Sequence, residues 1–143
     1  MTMNPATRLK RCNRMLGCTL LFMLASGIQL EATSGQYAWT VWLHIILGIL
    51  FTALVARHIY LHYRRSNLFA RFARNRNTIT RILWWTFLLT ALTGLAATAI
   101  WLDGNQHGHL GAIHGKIGFL MVLLSLIHAL RHLHKSHRSK QPL

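Results

Sequence analysis

The chain has 143 residues, 52% of them hydrophobic, and its 16 lysines and arginines against two acidic residues give a formal net charge of +14 with the ten histidines neutral. A disordered basic tail would be poor in apolar residues, and a basic nucleic-acid-binding domain would carry charge on about a quarter of its positions. Here charged residues make up 13%, which excludes nucleic acid as the partner and points to a small, single-domain integral membrane protein with basic loops.

A hydrocarbon layer about 30 Å thick takes roughly 20 apolar residues per helix. In chain order, Met15 to Leu30, Ala32 to Ala56 and Ile82 to Leu102 carry no charge. A fourth run, Leu110 to Leu133, is interrupted by Lys116 and Arg131 near its two ends, where long basic side chains can reach water. The pattern predicts an all-α integral membrane four-helix bundle, with helices over about 13–31, 37–64, 79–102 and 109–135. A basic loop then covers 64–80 and a tail 136–143. Small residues at Ala25-Ser26-Gly27 after a basic start resemble a signal-peptide end. That reading is set aside because the first run has a counterpart in the third.

Fifteen of the sixteen basic residues fall in Arg8–Arg14, Arg57–Arg81 and Arg131–Lys140. Four crossings put these segments on one side, and the positive-inside rule makes that side the cytoplasm, with both termini inside a bacterial-type inner membrane. Glu31 and Asp103, the two acidic residues, fall in the outer connections. Trp39, Trp42 and Trp101 then mark the outer interface and Trp84 and Trp85 the inner one. Cys12 and Cys18 lie toward the reducing side, so no disulfide is expected, and no cysteine spacing suits a metal or covalent haem.

The second and fourth runs share the pattern H-x3-G-x9-H-x3-H. It is carried by His44, Gly48, His58 and His62, and 70 residues later by His114, Gly118, His128 and His132. The first and third runs correspond more loosely, through Ser26-Gly27-Ile28 and Thr93-Gly94-Leu95. The bundle therefore reads as a duplicated two-helix unit, its second and fourth helices parallel. A 14-residue spacing rises about 21 Å and falls about 40° short of four full turns. His44 and His58 thus share a face at two depths, as do His114 and His128. Facing imidazoles across a bundle, His44 with His114 and His58 with His128, supply axial ligands for two porphyrin irons. Gly48 and Gly118, one turn from the outer histidines, leave room for a flat ring or for close helix packing. His62 and His132 return to the same face about 27 Å down. They can replace His58 and His128, meet propionates, or border a quinone pocket. Arg57, Lys116, Arg131 and Lys135 can pair with propionates or act in topology alone. His107, His109, His134 and His137 read as solvated flanks.

These repeated motifs resemble the small four-helix b-type membrane cytochromes, most closely the flavinylation-associated cytochromes. The plan is also similar to the cytochrome b561-like proteins and the membrane cores of ferric reductases. The resemblance covers about Met15 to Lys135. It implies two non-covalent haem b groups stacked across the bilayer on His44/His114 and His58/His128. It also implies electron transfer between a quinone pool or cytoplasmic donor and an extracytoplasmic acceptor. The chain carries no soluble flavin or nicotinamide domain and no flavin attachment motif, so a reductase built on it needs a separate redox partner, a flavoprotein or a cytochrome. The basic stretch Arg57–Arg81 can receive such a partner or anionic membrane lipid.

Three other readings remain open at this stage. A self-contained quinone-linked oxidoreductase could oxidise superoxide at the outer surface, with Lys116 drawing in the anion. A transition-metal transporter could use the imidazoles, although such sites gather three or four ligands in one sphere and these pairs lie about 21 Å apart. A structural subunit that anchors a partner completes the set. No Asp or Glu falls within the four runs, which leaves no carboxylate relay of the kind pumps use.

Overall fold

A computed structural model describes residues 4–63, 78–104 and 109–138, apart from the side chains of Pro5, Tyr63 and 132–138. The described residues are all-helical and form four helices, α1 (Pro5–Ala32), α2 (Ala38–Tyr63), α3 (Thr78–Leu102) and α4 (His109–Arg138). All four are long and apolar enough to cross a membrane. At 25 residues, α3 is the shortest, and about 1.5 Å per residue already exceeds the hydrocarbon thickness.

α1 starts eight residues before the position expected from the apolar pattern. Asn4 caps it, its Oδ1 accepting from the Ala6 N–H at 3.1 Å, and Pro5 occupies the first helical turn, where a missing N–H costs nothing. The basic segment Arg8–Arg14 therefore forms the opening turns of a helix rather than a loop. A short turn with Ser34 and Gly35 at positive φ leads into α2, where Thr40, fully buried, bonds its hydroxyl to the Tyr37 carbonyl at 2.7 Å. α3 ends at Asp103-Gly104, where Gly104 takes φ 87° and closes the last turn on the Trp101 carbonyl. α4 runs to Arg138, beyond the expected end near 135. Of the expected basic loop over 64–80, residues 64–77 lie outside the described residues and 78–80 open α3. The expected tail begins within α4, and 139–143 lie outside the described residues.

The chain divides into two compact units, Met1–Ala73 and Arg74–Leu143. In the first, α1 packs along α2, and in the second, α3 packs along α4. Each pair is antiparallel, because contacts pair Ser26 with His44 and Asn13 with His58 in one, and Gly94 with His114 and Thr90 with Gly118 in the other.

The exterior is apolar, unlike that of a water-soluble protein, and the interior mixes hydroxylated residues with Phe51, Leu54, Met121 and Val122. Small or hydroxylated residues are buried, among them Thr19, Ser26, Thr40, Thr86 and Thr90, while Leu21, Phe22, Ile49, Leu95 and Phe119 are each more than 60% exposed. Such an exterior suits lipid, and the hydroxyls let helices approach closely. The Thr19, Thr52, Thr86, Thr90 and Thr98 hydroxyls return their protons to the carbonyl four residues back, so none is stranded in an apolar layer.

Candidate functional site

The two units repeat one set of contacts around one histidine. On α2, half-buried His44 places Nδ1 2.8 Å from the Ser26 hydroxyl of α1. That hydroxyl also lies 3.1 Å from the Met23 carbonyl and donates to it. With that proton on the carbonyl, Ser26 accepts from His44 Nδ1; in the other tautomer it donates to the ring instead. On α4, His114 Nδ1 lies 3.0 Å from the Thr90 carbonyl of α3. A carbonyl can only accept, so the proton sits on Nδ1. The Thr93 hydroxyl, 67 residues after Ser26, is a weaker second acceptor at 3.4 Å; its own proton goes to the Leu89 carbonyl at 2.7 Å.

Glycines complete the set. A Cβ on Gly27 would stand 3.5 Å from His44 Cε1, and one on Gly94 only 2.9 Å from His114 Cε1. Gly48 faces Met23 and its counterpart Gly118 faces Thr90, with a Cβ on either meeting the opposite side chain at 3.7 Å. Met23 and Thr90 are themselves 67 residues apart, the same shift that relates Ser26 to Thr93. The loose resemblance between the first and third helices is thus a shared set of contacts with the histidine helices.

The second histidine of the first unit is held in the same way. His58, half-buried, has Nδ1 2.9 Å from Oδ1 of Asn13 on α1. An amide oxygen only accepts, so this proton is on Nδ1 as well. His62, exposed one turn further along α2, stands edge-on to His58 with ring centroids 5.0 Å apart. His128 is half-buried on α4, and the position corresponding to Asn13 is Thr80. The His132 side chain and His107 lie outside the described residues. Arg57, Lys116 and Arg131 are exposed, as is His109. Cys12, buried, and Cys18, exposed, are free thiols.

His58 and His114 therefore carry a proton on Nδ1, and His44 does so in the tautomer in which Ser26 accepts. This is the form that binds a metal through Nε2 while the opposite nitrogen is oriented by an acceptor. Among the described residues no three His, Cys, Asp or Glu side chains gather into a metal-ion cluster. The acceptors, Asn13 and the Thr90 carbonyl, are not evident in the sequence, because nothing in an apolar pattern marks which helix faces a given histidine. The usable signal was the Ser/Thr-Gly pair recurring in α1 and α3. No protein family, curated protein or solved structure matches the chain.

Proposed function

We propose that the chain is a b-type membrane cytochrome that carries electrons across the bilayer through two haem b groups, one on His44 and His114, the other on His58 and His128. The observation that carries this reading is the shared placement of His44, His58 and His114, each with Nδ1 at hydrogen-bond distance from an oxygen of the neighbouring helix. A packing role alone would be a weak reason for it. Interhelical hydrogen bonds in membranes stabilise by about 0.6 kcal/mol on average, whereas ionisable side chains within the bilayer are costly and mark function. Each bond fixes an imidazole plane and raises the basicity of Nε2, the two properties an axial ligand needs. When bound, haem supplies an iron that exchanges single electrons between two oxidation states. A porphyrin asks only two donors of the protein, which suits paired histidines better than a three- or four-ligand metal-ion site.

Gly48 and Gly118 keep α2 and α4 slim beside the outer histidines. His62 borders His58, and in this reading a quinone pool or a cytoplasmic flavoprotein or cytochrome is the donor side, with an extracytoplasmic acceptor opposite. The distribution of basic segments supports a cytoplasmic membrane of a bacterial-type cell, with both termini inside, as the setting of this reading. The test is a reduced-minus-oxidised absorption spectrum of the purified protein with haem quantified against polypeptide. Two b-type haems per chain are expected, falling toward one in His44→Ala. Absence of haem after expression with ample haem supply overturns the reading.

A further inference from the structure

The arginine-rich end of the first unit holds a cavity that the haem reading does not use. It is lined by Arg8, Arg11, Cys12 and Met15 of α1 and by Arg57 of α2, and encloses about 390 Å³. Two contacts hold the helices together around it. The Cys12 thiol donates to the Leu54 carbonyl at 3.8 Å, and Asn13 meets His58.

Three observations define what fits there. The first is charge. The first unit, Met1–Ala73, contains a single carboxylate side chain, Glu31, which lies 20 residues beyond Arg11 on α1, about 30 Å along the helix. It is therefore too distant to neutralise the cavity. The second is position. Met15 opens the uncharged run of α1 and Arg57 is the first charge after the uncharged run of α2, so both helices pass from apolar to basic at this level. The third is composition. Arginines supply the forked donors that match phosphate oxygens, while Met15 and the buried Cys12 add apolar wall. Basic residues that only set topology need to lie on one side of the membrane. They have no reason to converge on one cavity from two helices.

We propose that this cavity is a phosphate-binding site, filled by the headgroup of an acidic phospholipid, with Arg8, Arg11 and Arg57 around the phosphate and the acyl chains descending past Met15. A phosphate at the border of the hydrocarbon layer is where a phospholipid presents it, and the apolar wall favours that source over free phosphate. The site is independent of the haem assignment.

The test uses the full-length protein in an uncharged detergent, titrated with phosphatidylglycerol, phosphatidylcholine or inorganic phosphate, with bound lipid counted by native mass spectrometry. One phosphatidylglycerol per chain is expected in preference to phosphatidylcholine. Arg57→Gln and Arg11→Gln should each weaken it about fivefold or more, from about 1 kcal/mol per basic contact. Arg57→Lys, which keeps the charge but not the fork, should bind better than Arg57→Gln and less well than wild type, and helical circular dichroism of each variant checks that it folds. Arg81→Gln, at the start of α3 and outside the cavity, should leave binding unchanged. Equal loss in Arg81→Gln, or equal binding of phosphatidylcholine, means diffuse surface attraction and overturns the proposal. Inorganic phosphate that displaces the lipid and protects the fold equally assigns the site to free phosphate and overturns the lipid source.

Discussion

The Ser26 hydroxyl stands 2.8 Å from Nδ1 of His44 and 3.1 Å from the Met23 carbonyl. A serine in α1 thereby holds the ring of a histidine in α2. Removing such a partner of a metal-bound histidine typically weakens binding 10–100-fold. If His44 ligates a haem as proposed, Ser26→Ala should lose it about 10–100-fold more readily on dilution into a haem-accepting apoprotein, and Ser26→Thr should restore retention. Wild-type retention in the alanine variant would mean that the hydrogen bond does not serve ligation.

The same deletion in the second unit should be nearly silent. The Thr93 hydroxyl is only a secondary acceptor for His114 at 3.4 Å, behind the Thr90 carbonyl at 3.0 Å. Thr93→Val leaves the carbonyl in place. Haem retention and midpoint potential should stay close to wild type, in contrast to Ser26→Ala. Equal losses in the two variants would show that the hydroxyls, and not the stronger acceptors, orient both rings.

Of two glycines related by the repeat, only one should respond to an added methyl group. At Gly27 the new Cβ would make an ordinary 3.5 Å contact with His44, while at Gly94 it would stand 2.9 Å from Cε1 and 3.2 Å from Nδ1 of His114. The His114 ring is tied to the Thr90 carbonyl and must break that bond to yield. Overpacking of this kind costs about 1–3 kcal/mol. Gly94→Ala should lower the haem-to-protein ratio and the thermal midpoint, and Gly27→Ala should change neither. The comparison of the two variants in one absorption and melting experiment reads this directly.

Four helices and a two-fold repeat were legible in the sequence because both depend on long-range composition. Uncharged runs such as Ile82–Leu102 have only one use at that length, and a 14-residue histidine spacing survives any choice of neighbour. The start of α1 was hidden because Asn4-Pro5 is a local capping signal well upstream of the apolar run. The acceptors were hidden for a different reason. His44, His58 and His114 turn toward α1 or α3, and which residue lies opposite depends on the helix-pair register, which the short turns fix and hydropathy does not encode. Ser26-Gly27 and Thr93-Gly94 gave a partial clue. Asn13 and the Thr90 carbonyl gave none, since the first has no counterpart at Thr80 and the second is backbone.

On the proposed haem reading, Asn13 separates His58 from His62 as the inner ligand of the first unit. His58 has its Nδ1 2.9 Å from the Asn13 side chain, and His62 stands edge-on to it, exposed, with centroids 5.0 Å apart. If His58 is the ligand, Asn13→Leu removes the acceptor that orients it, and the inner haem should bind about 10–100-fold more weakly while the outer haem is unaffected. Asn13→Asp retains an acceptor and makes it a stronger one. It should keep the haem and lower its potential, since a more basic imidazole favours ferric iron. If His62 is the ligand instead, neither Asn13 variant should alter the inner haem, and His62→Ala should abolish it. A redox titration that resolves two midpoints, run on wild type, Asn13→Leu, Asn13→Asp and His62→Ala, separates the cases, because only one of the two histidines can move the inner midpoint through Asn13.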